Sequence, residues 1–167
     1  MMRLPLTTLV AAILLNLSSG LLYSSAEVRS ARSLPGLLKP LTTPLISDKA
    51  PLTSAKRRIE RLRHLLTLYE PLLKELAVDE QIKTIHIFAQ THLLLAELIR
   101  DLPPRLTAGE PYYEHFYLHQ ENLSLPLLDK TADLSRRIVE IAKKNPSGNR
   151  GVLWAREFLA NHEAKRK

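Results

Sequence analysis

Apolar residues recur every three or four positions along much of the chain, which is the spacing of one face of an α-helix. The first such series lies within residues 55–76 and the second within residues 82–99. We expect helices over 53–77 and 79–102. Their very short connection predicts an antiparallel helical hairpin.

Prolines divide the pattern. Pro71 should kink or split the first helix, because proline lacks a backbone N–H and crowds the preceding turn. Pro111 opens a third helical stretch that Pro126 should break, so that the next apolar face begins at Leu127. A short last helix follows over Val152–His162. With no internal repeat and no convincing alternating strand, the pattern predicts an all-α bundle of four to five helices built on a kinked hairpin.

The first 26 residues differ from the rest, with Arg3 as their one charge before an apolar stretch and a small-residue close at Ala26. This layout is typical of a secretory signal peptide cleaved between Ala26 and Glu27. Cleavage after residues 18–20 is an upstream alternative. A retained anchor over Leu4–Leu22 has the necessary length of about 20 residues, and other targeting stays open. We expect cleavage and a secreted or periplasmic location.

Residues 27–52 carry four prolines among Ser, Thr and scattered leucines. They predict an extended Pro-rich linker, or an arm whose leucines contact the body. The predicted organisation is therefore a signal peptide over 1–26, an arm over 27–52 and a helical domain over 53–167. The chain contains no cysteine, so neither a disulfide nor a bacterial lipoprotein anchor can form.

Positive charge is concentrated behind the predicted signal peptide. Residues 27–63 hold nine Lys and Arg residues against three acidic ones, whereas the remainder is balanced. Such a segment favours an acidic protein face or a membrane surface as partner, or else a merely solvated helix surface. Nucleic acid is disfavoured because no aromatics are interleaved with the cations. Five cations form the predicted partner-binding basic face: Lys56, Arg57, Arg58, Arg61 and Arg63.

Three tyrosines form a second predicted partner-binding surface, the aromatic patch, which could equally belong to the core: Tyr112, Tyr113 and Tyr117. His115 and His119 are four residues apart, so on a helix they could share a metal, with a third ligand from elsewhere. His92 lies on an apolar seam. An axial haem ligand is conceivable there, but a hydrogen-bonded core histidine is the favoured interpretation.

Two partial resemblances bear on function. Residues 61–76, RLRHLLTLYEPLLKEL, with the amphipathic helix after them, are similar to the RAQPRD group of exported helical-hairpin proteins encoded by conjugative elements. The likeness rests on Glu70-Pro71-Leu72 and helix spacing, and the group's naming sequence is absent after Arg105. Residues 32–35, RSLP, resemble a degraded translocation motif of oomycete effectors, with Pro35 in place of the final arginine. Neither resemblance assigns a family.

The sequence contains no recognisable nucleophile turn, paired carboxylates or phosphate cradle, so it predicts neither an enzyme nor a cofactor. We expect an exported, non-enzymatic helical binding protein that serves as an accessory or assembly factor of an envelope or conjugation-type secretion system. Its partner is expected to be a protein. The alternatives are a secreted effector acting on host partners and a metal- or haem-binding bundle; the oligomeric state is open.

Overall fold

The computed structural model describes residues 34–48, 50–104, 113–146 and 148–164. Within them the structure is all-helical, with no strand, which confirms the predicted fold class. The five α-helices and one 3-10 helix have these bounds: α1 Leu34–Leu38, the 3-10 helix Lys39–Thr42, α2 Pro51–Leu73, α3 Val78–Arg100, α4 Tyr113–Lys144 and α5 Arg150–Ala164. The predicted signal peptide, with its Ala26–Glu27 cleavage site, lies outside the described residues.

Helix α3 is the centre of the bundle. It packs most extensively against α4 and also contacts α2, α5 and the 3-10 helix. Helix α4 runs antiparallel to α3. Near the beginning of α4, the Gln120 amide donates to carbonyls at the end of α3. Just beyond the end of α4, the Asn149 amide donates to the Asp79 carbonyl at the beginning of α3. The α3 residues buried by these neighbours are Ile82, Ile85, Phe88, Ala89, Thr91, His92, Leu95, Ala96 and Ile99.

Small side chains on the buried faces let α3 and α4 approach closely. Ala89 and Ala96 are buried in α3, and Ser124, Thr131 and Ser135 are buried in α4. Interaxial distance depends on the size of the side chains at the contact, so small buried residues on both helices permit the extensive contact between them. The Thr131 hydroxyl donates to the Leu127 carbonyl at 2.8 Å, which satisfies its hydrogen bond inside its own helix.

The prediction that Pro126 breaks the third helical stretch is wrong, because α4 continues through it as one helix. The missing N–H leaves the Asn122 carbonyl without its usual helical donor, but both residues are exposed, so water can reach that carbonyl. Ser124 before the proline and Leu127 after it are both buried. Packing on both sides therefore holds the helix together across the proline.

The predicted α2–α3 hairpin is present, but α2 ends at an earlier residue than expected. Pro71 lies in the last turn of α2, which stops at Leu73 rather than residue 77. The Gln81 side-chain amide donates to the Leu73 carbonyl at 2.9 Å and satisfies one of the free carbonyls at this helix end. The α3–α4 contact is more extensive than the α2–α3 contact of the hairpin. The bundle is therefore organised around the α3–α4 pair and not around the hairpin.

The segment expected as an extended arm contains α1 and the 3-10 helix. Pro35 and Pro40 lie near the beginnings of these two short helices, where proline is tolerated because the first N–H groups have no helical partner. Four leucines of this segment are buried in the common core: Leu34, Leu38, Leu41 and Leu45. The contact expected from its leucines therefore exists, and the segment packs as part of the bundle.

Gly151 permits a close contact between α5 and α3. A Cβ atom at Gly151 would lie 3.1 Å from both Cβ and Cγ of His86, which are near the backbone and cannot swing away easily. Overpacking should cost Gly151→Ala about 1–3 kcal/mol, against the gain of about 1 kcal/mol that alanine brings over glycine in a helix. Gly36→Ala is the control, because nothing lies within 4 Å of a Cβ there, so urea unfolding should show Gly151→Ala to be less stable than Gly36→Ala. Equal stability of these two variants would show that α5 does not pack as described.

Candidate functional site

The five cations of the predicted basic face do not share one surface. Lys56, Arg57 and Arg63 are exposed, whereas Arg58 and Arg61 are partly buried. At 100° per residue, Lys56 and Arg63 point to one side of α2 and Arg57 points to another. The structure therefore divides the predicted face into separate cationic positions.

Arg58 is engaged inside the molecule. Its guanidinium forms an ion pair with the Asp48 carboxylate at 3.3 Å and donates to the carbonyls of Leu41 and Thr43. A charged donor with three acceptors ties the segment before α2 onto the bundle. Arg58 is thus a fold-stabilising residue, and its removal would confuse any test of partner binding.

The predicted aromatic patch is described only in part. Tyr112 lies outside the described residues, and Tyr113 is the first residue of α4 with its side chain likewise outside them. Tyr117 is 42% exposed, and its ring meets Phe116 edge to face with centroids 5.8 Å apart. One tyrosine of the three is therefore placed at the surface.

His115 and His119 are both exposed on α4. Over the part of the chain that the structure describes, no group of three or more His, Cys, Asp or Glu side chains could hold a metal ion. The histidine pair is therefore placed on the surface of one helix with no third ligand beside it among those residues.

His92 is the most deeply buried titratable side chain near a cavity, with 2% of its surface exposed. Its Nδ1 lies 2.7 Å from the Phe88 carbonyl oxygen. Because a carbonyl can only accept a hydrogen bond, Nδ1 carries the proton and Nε2 keeps a lone pair. The favoured prediction of a hydrogen-bonded core histidine describes this environment.

Burial lowers the pKa of His92 from 6.5 to about 4, and the positive charges of Lys130 and Arg63 act in the same direction. The hydrogen bond to Phe88 opposes this shift only in part. The imidazole is therefore neutral at neutral pH. Burial also lowers the pKa of His86, which packs against Trp154 with ring centroids 4.8 Å apart.

Above His92 lies a cleft of about 330 Å³ between α2 and α4, which run parallel to each other and antiparallel to α3. Two cations, Arg63 from α2 and Lys130 from α4, line it on opposite sides. None of its lining residues is acidic. The full lining is Arg63, Leu66, Thr67, His92, Pro126, Leu127 and Lys130.

An ion pair near the end of the cleft fixes α2 against α4. Arg137 Nη1 lies 2.7 Å and 2.8 Å from the two carboxylate oxygens of Glu70, and both side chains are partly buried. A charged hydrogen bond of this kind stabilises more than a neutral one. Glu70 is therefore occupied by Arg137, away from Arg63 and Lys130.

The sequence did not reveal this cleft. Arg63 and Lys130 each lie three residues from a buried leucine, Leu66 and Leu127, and so stand at the edge of an apolar face. That position was readable from spacing. The meeting of the two edges above His92 depends on how three helices pack, which no local pattern contains.

Comparisons with known proteins leave the site without an assigned role. No family model, curated protein or solved structure matches the chain. No helix in the described ranges is long and apolar enough to cross a membrane. Function is therefore inferred from the residues and contacts given above.

The buried neutral His92 makes stability depend on pH. In the unfolded chain His92 gains its proton near pH 6.5, whereas in the folded chain it does so near pH 4. Between these values the unfolded state binds more protons, so stability falls as the pH drops, by about 3 kcal/mol in total. Urea unfolding at pH 7 and pH 4.5 should show this loss in the wild type.

His92→Leu should remove most of that pH dependence, leaving the smaller contribution that the half-buried His86, whose pKa burial also lowers, makes in the same direction. His119→Gln is the control, because His119 is exposed and its replacement should leave the dependence unchanged. If His92→Leu lost as much stability as the wild type between the two pH values, the imidazole would not be the buried neutral group described here.

Proposed function

We propose that this chain is an exported, non-enzymatic helical binding protein that engages an acidic protein surface through Lys56 and Arg57, two exposed cations of α2. The observation that carries the proposal is the position of Lys56 and Arg57, which project from the bundle in the second turn of α2. Neither forms an ion pair with any of the residues that the structure describes. Exposed cations left without a counterion are available to an anionic partner.

Their location in the helix supports this role. The helix dipole acts mainly on the first turn, so it does not favour cations in the second turn of α2. The first turn of α2 contains no acidic residue, and Glu60, one turn further on, is the nearest acidic residue in the helix. Exposed cations without an ion pair among the described residues support an interaction with an anionic molecule.

Export rests on the amino-terminal pattern of residues 1–26, which has the charge and small-residue layout of a signal peptide. The chain contains no cysteine, which is unusual for a small exported domain but agrees with a bacterial periplasm or with disulfide-free secreted proteins. We infer a secreted or periplasmic accessory factor, with a secreted effector acting on a host protein as the alternative. The identity of a captured partner distinguishes the two.

Reversing both charges in Lys56→Glu/Arg57→Glu should weaken binding to an acidic polypeptide about tenfold, since two attractive contacts become repulsive. Fluorescence anisotropy with labelled poly-L-glutamate measures this, and pull-down from the native compartment identifies the natural partner. Helicity should be unchanged, because acidic residues are tolerated in the early turns of a helix.

The matched control is Lys74→Glu/Lys144→Glu, which changes the net charge equally at exposed sites at the opposite end of the bundle. It should bind almost as tightly as the wild type. Equal weakening in both double variants would mean that overall charge, and not the α2 surface, attracts the acidic chain.

A further inference from the structure

The cleft above His92 holds two cations and no anion. Arg63 and Lys130 both line it and both act on His92 electrostatically. Neither forms an ion pair with another described residue, and the nearby acidic side chain Glu70 is taken by Arg137. Like charges that line one partly enclosed space repel each other more strongly than they would in water, and a bound anion would relieve that repulsion.

The floor of the cleft adds a second requirement. His92 Nδ1 donates to the Phe88 carbonyl, which leaves Nε2 as the hydrogen-bond acceptor of a side chain that lines the cleft. An anion seated between the cations would satisfy Nε2 only if it also carried a hydrogen. The best ligand for the cleft is therefore an anion that is also a hydrogen-bond donor.

Thr67 and the apolar walls of the cleft are compatible with a small oxyanion as its ligand. The Thr67 hydroxyl donates to the Arg63 carbonyl at 3.0 Å, so its oxygen can accept a further bond. Leu66, Leu127 and Pro126 supply the apolar walls. The volume of about 330 Å³ lies at the small end of ligand pockets, with room for an oxyanion and a few waters.

We propose that the cleft between α2, α3 and α4 binds hydrogen phosphate, with Arg63 and Lys130 contacting its charged oxygens and its P–OH group donating to Nε2 of His92. Inorganic phosphate keeps at least one proton throughout the neutral range. Sulfate and phosphodiesters keep none. A phosphate monoester loses its last proton near pH 6, so it should bind well only below that pH.

This site is separate from the proposed protein-binding surface, because Lys56 and Arg57 do not line the cleft. The two proposals therefore fail independently. Lys56→Glu/Arg57→Glu should bind phosphate like the wild type. Cleft variants should lose phosphate binding but keep their binding to poly-L-glutamate, apart from the part that the exposed cation Arg63 itself contributes.

Isothermal titration calorimetry of the purified chain at pH 7.5 and constant ionic strength tests the proposal with inorganic phosphate, sulfate and glycerol 3-phosphate. Phosphate should bind about tenfold more tightly than sulfate, the value of one hydrogen bond to a charged ligand. Glycerol 3-phosphate should approach phosphate at pH 5.5 and fall behind it at pH 7.5. This comparison separates free phosphate from a phosphate ester as the natural ligand.

Arg63→Gln and Lys130→Gln should each weaken phosphate binding about tenfold or more. Lys143→Gln is the matched control, since Lys143 lies on the same helix as Lys130 and pairs with Glu140 at the surface. His92→Leu should bring the phosphate and sulfate affinities close together. Because that variant could fold poorly, its helicity is checked by circular dichroism, and the ester comparison in the wild type tests the same hydrogen bond without it.

Three results would overturn the proposal. The first is no phosphate binding at millimolar concentration, and the second is equal affinity of the wild type for phosphate and sulfate. The third is a loss in Lys143→Gln as large as that in Lys130→Gln, which would reduce the effect to general screening of charge.

Discussion

The structure depends on the close contact between α3 and α4. Small residues at the buried positions, among them Ala89, Ala96 and Thr131, let these two helices approach along their length. Both ends of the contact are fixed by side-chain amides, Gln120 at one and Asn149 at the other. Around this pair, α2 and the 3-10 helix cover further parts of α3, and α5 packs mainly against α4 while also contacting α3.

Gln120 shows how much one side chain contributes to that arrangement. Its buried amide nitrogen lies within hydrogen-bond distance of the carbonyls of Ile99, Arg100 and Leu102, where α3 ends, and shares its two N–H groups among them. The last carbonyls of a helix lack their usual helical donors, and a buried carbonyl without a donor is costly. Gln120 therefore caps the end of α3 and positions the beginning of α4 in a single contact.

The same packing produces the cleft. With α2 and α4 both antiparallel to α3, their neighbouring edges run parallel, and Arg63 and Lys130 come to face the same space above His92. The Glu70–Arg137 ion pair joins α2 to α4 beyond it. The buried imidazole forms the floor as a consequence of lying on the central helix. The polar group and the cations thus originate on three different helices.

Much of the fold could be predicted from spacing, because burial of one helix face leaves a period that survives in the sequence. Helices α2 and α3 follow that period closely, and the first turn of α3 contains Asp79 and Glu80, acidic residues that suit a helix start. The prediction at Pro126 is wrong because the free-energy cost of a proline inside a helix is smaller than the stabilisation from packing on both sides of it. Arg58 was assigned to a binding surface because spacing cannot show that Asp48 and two carbonyls surround it. The cleft needed the three-dimensional meeting of three helices.

The most direct measurement of the central claim is the nitrogen NMR spectrum of the His92 ring at pH 6.5. The structure predicts a neutral imidazole with its proton on Nδ1, held by the Phe88 carbonyl, and with Nε2 unprotonated. An imidazolium at that pH, or a neutral ring with the proton on Nε2, would contradict the assignment of Nε2 of the buried His92 as the hydrogen-bond acceptor at the floor of the cleft.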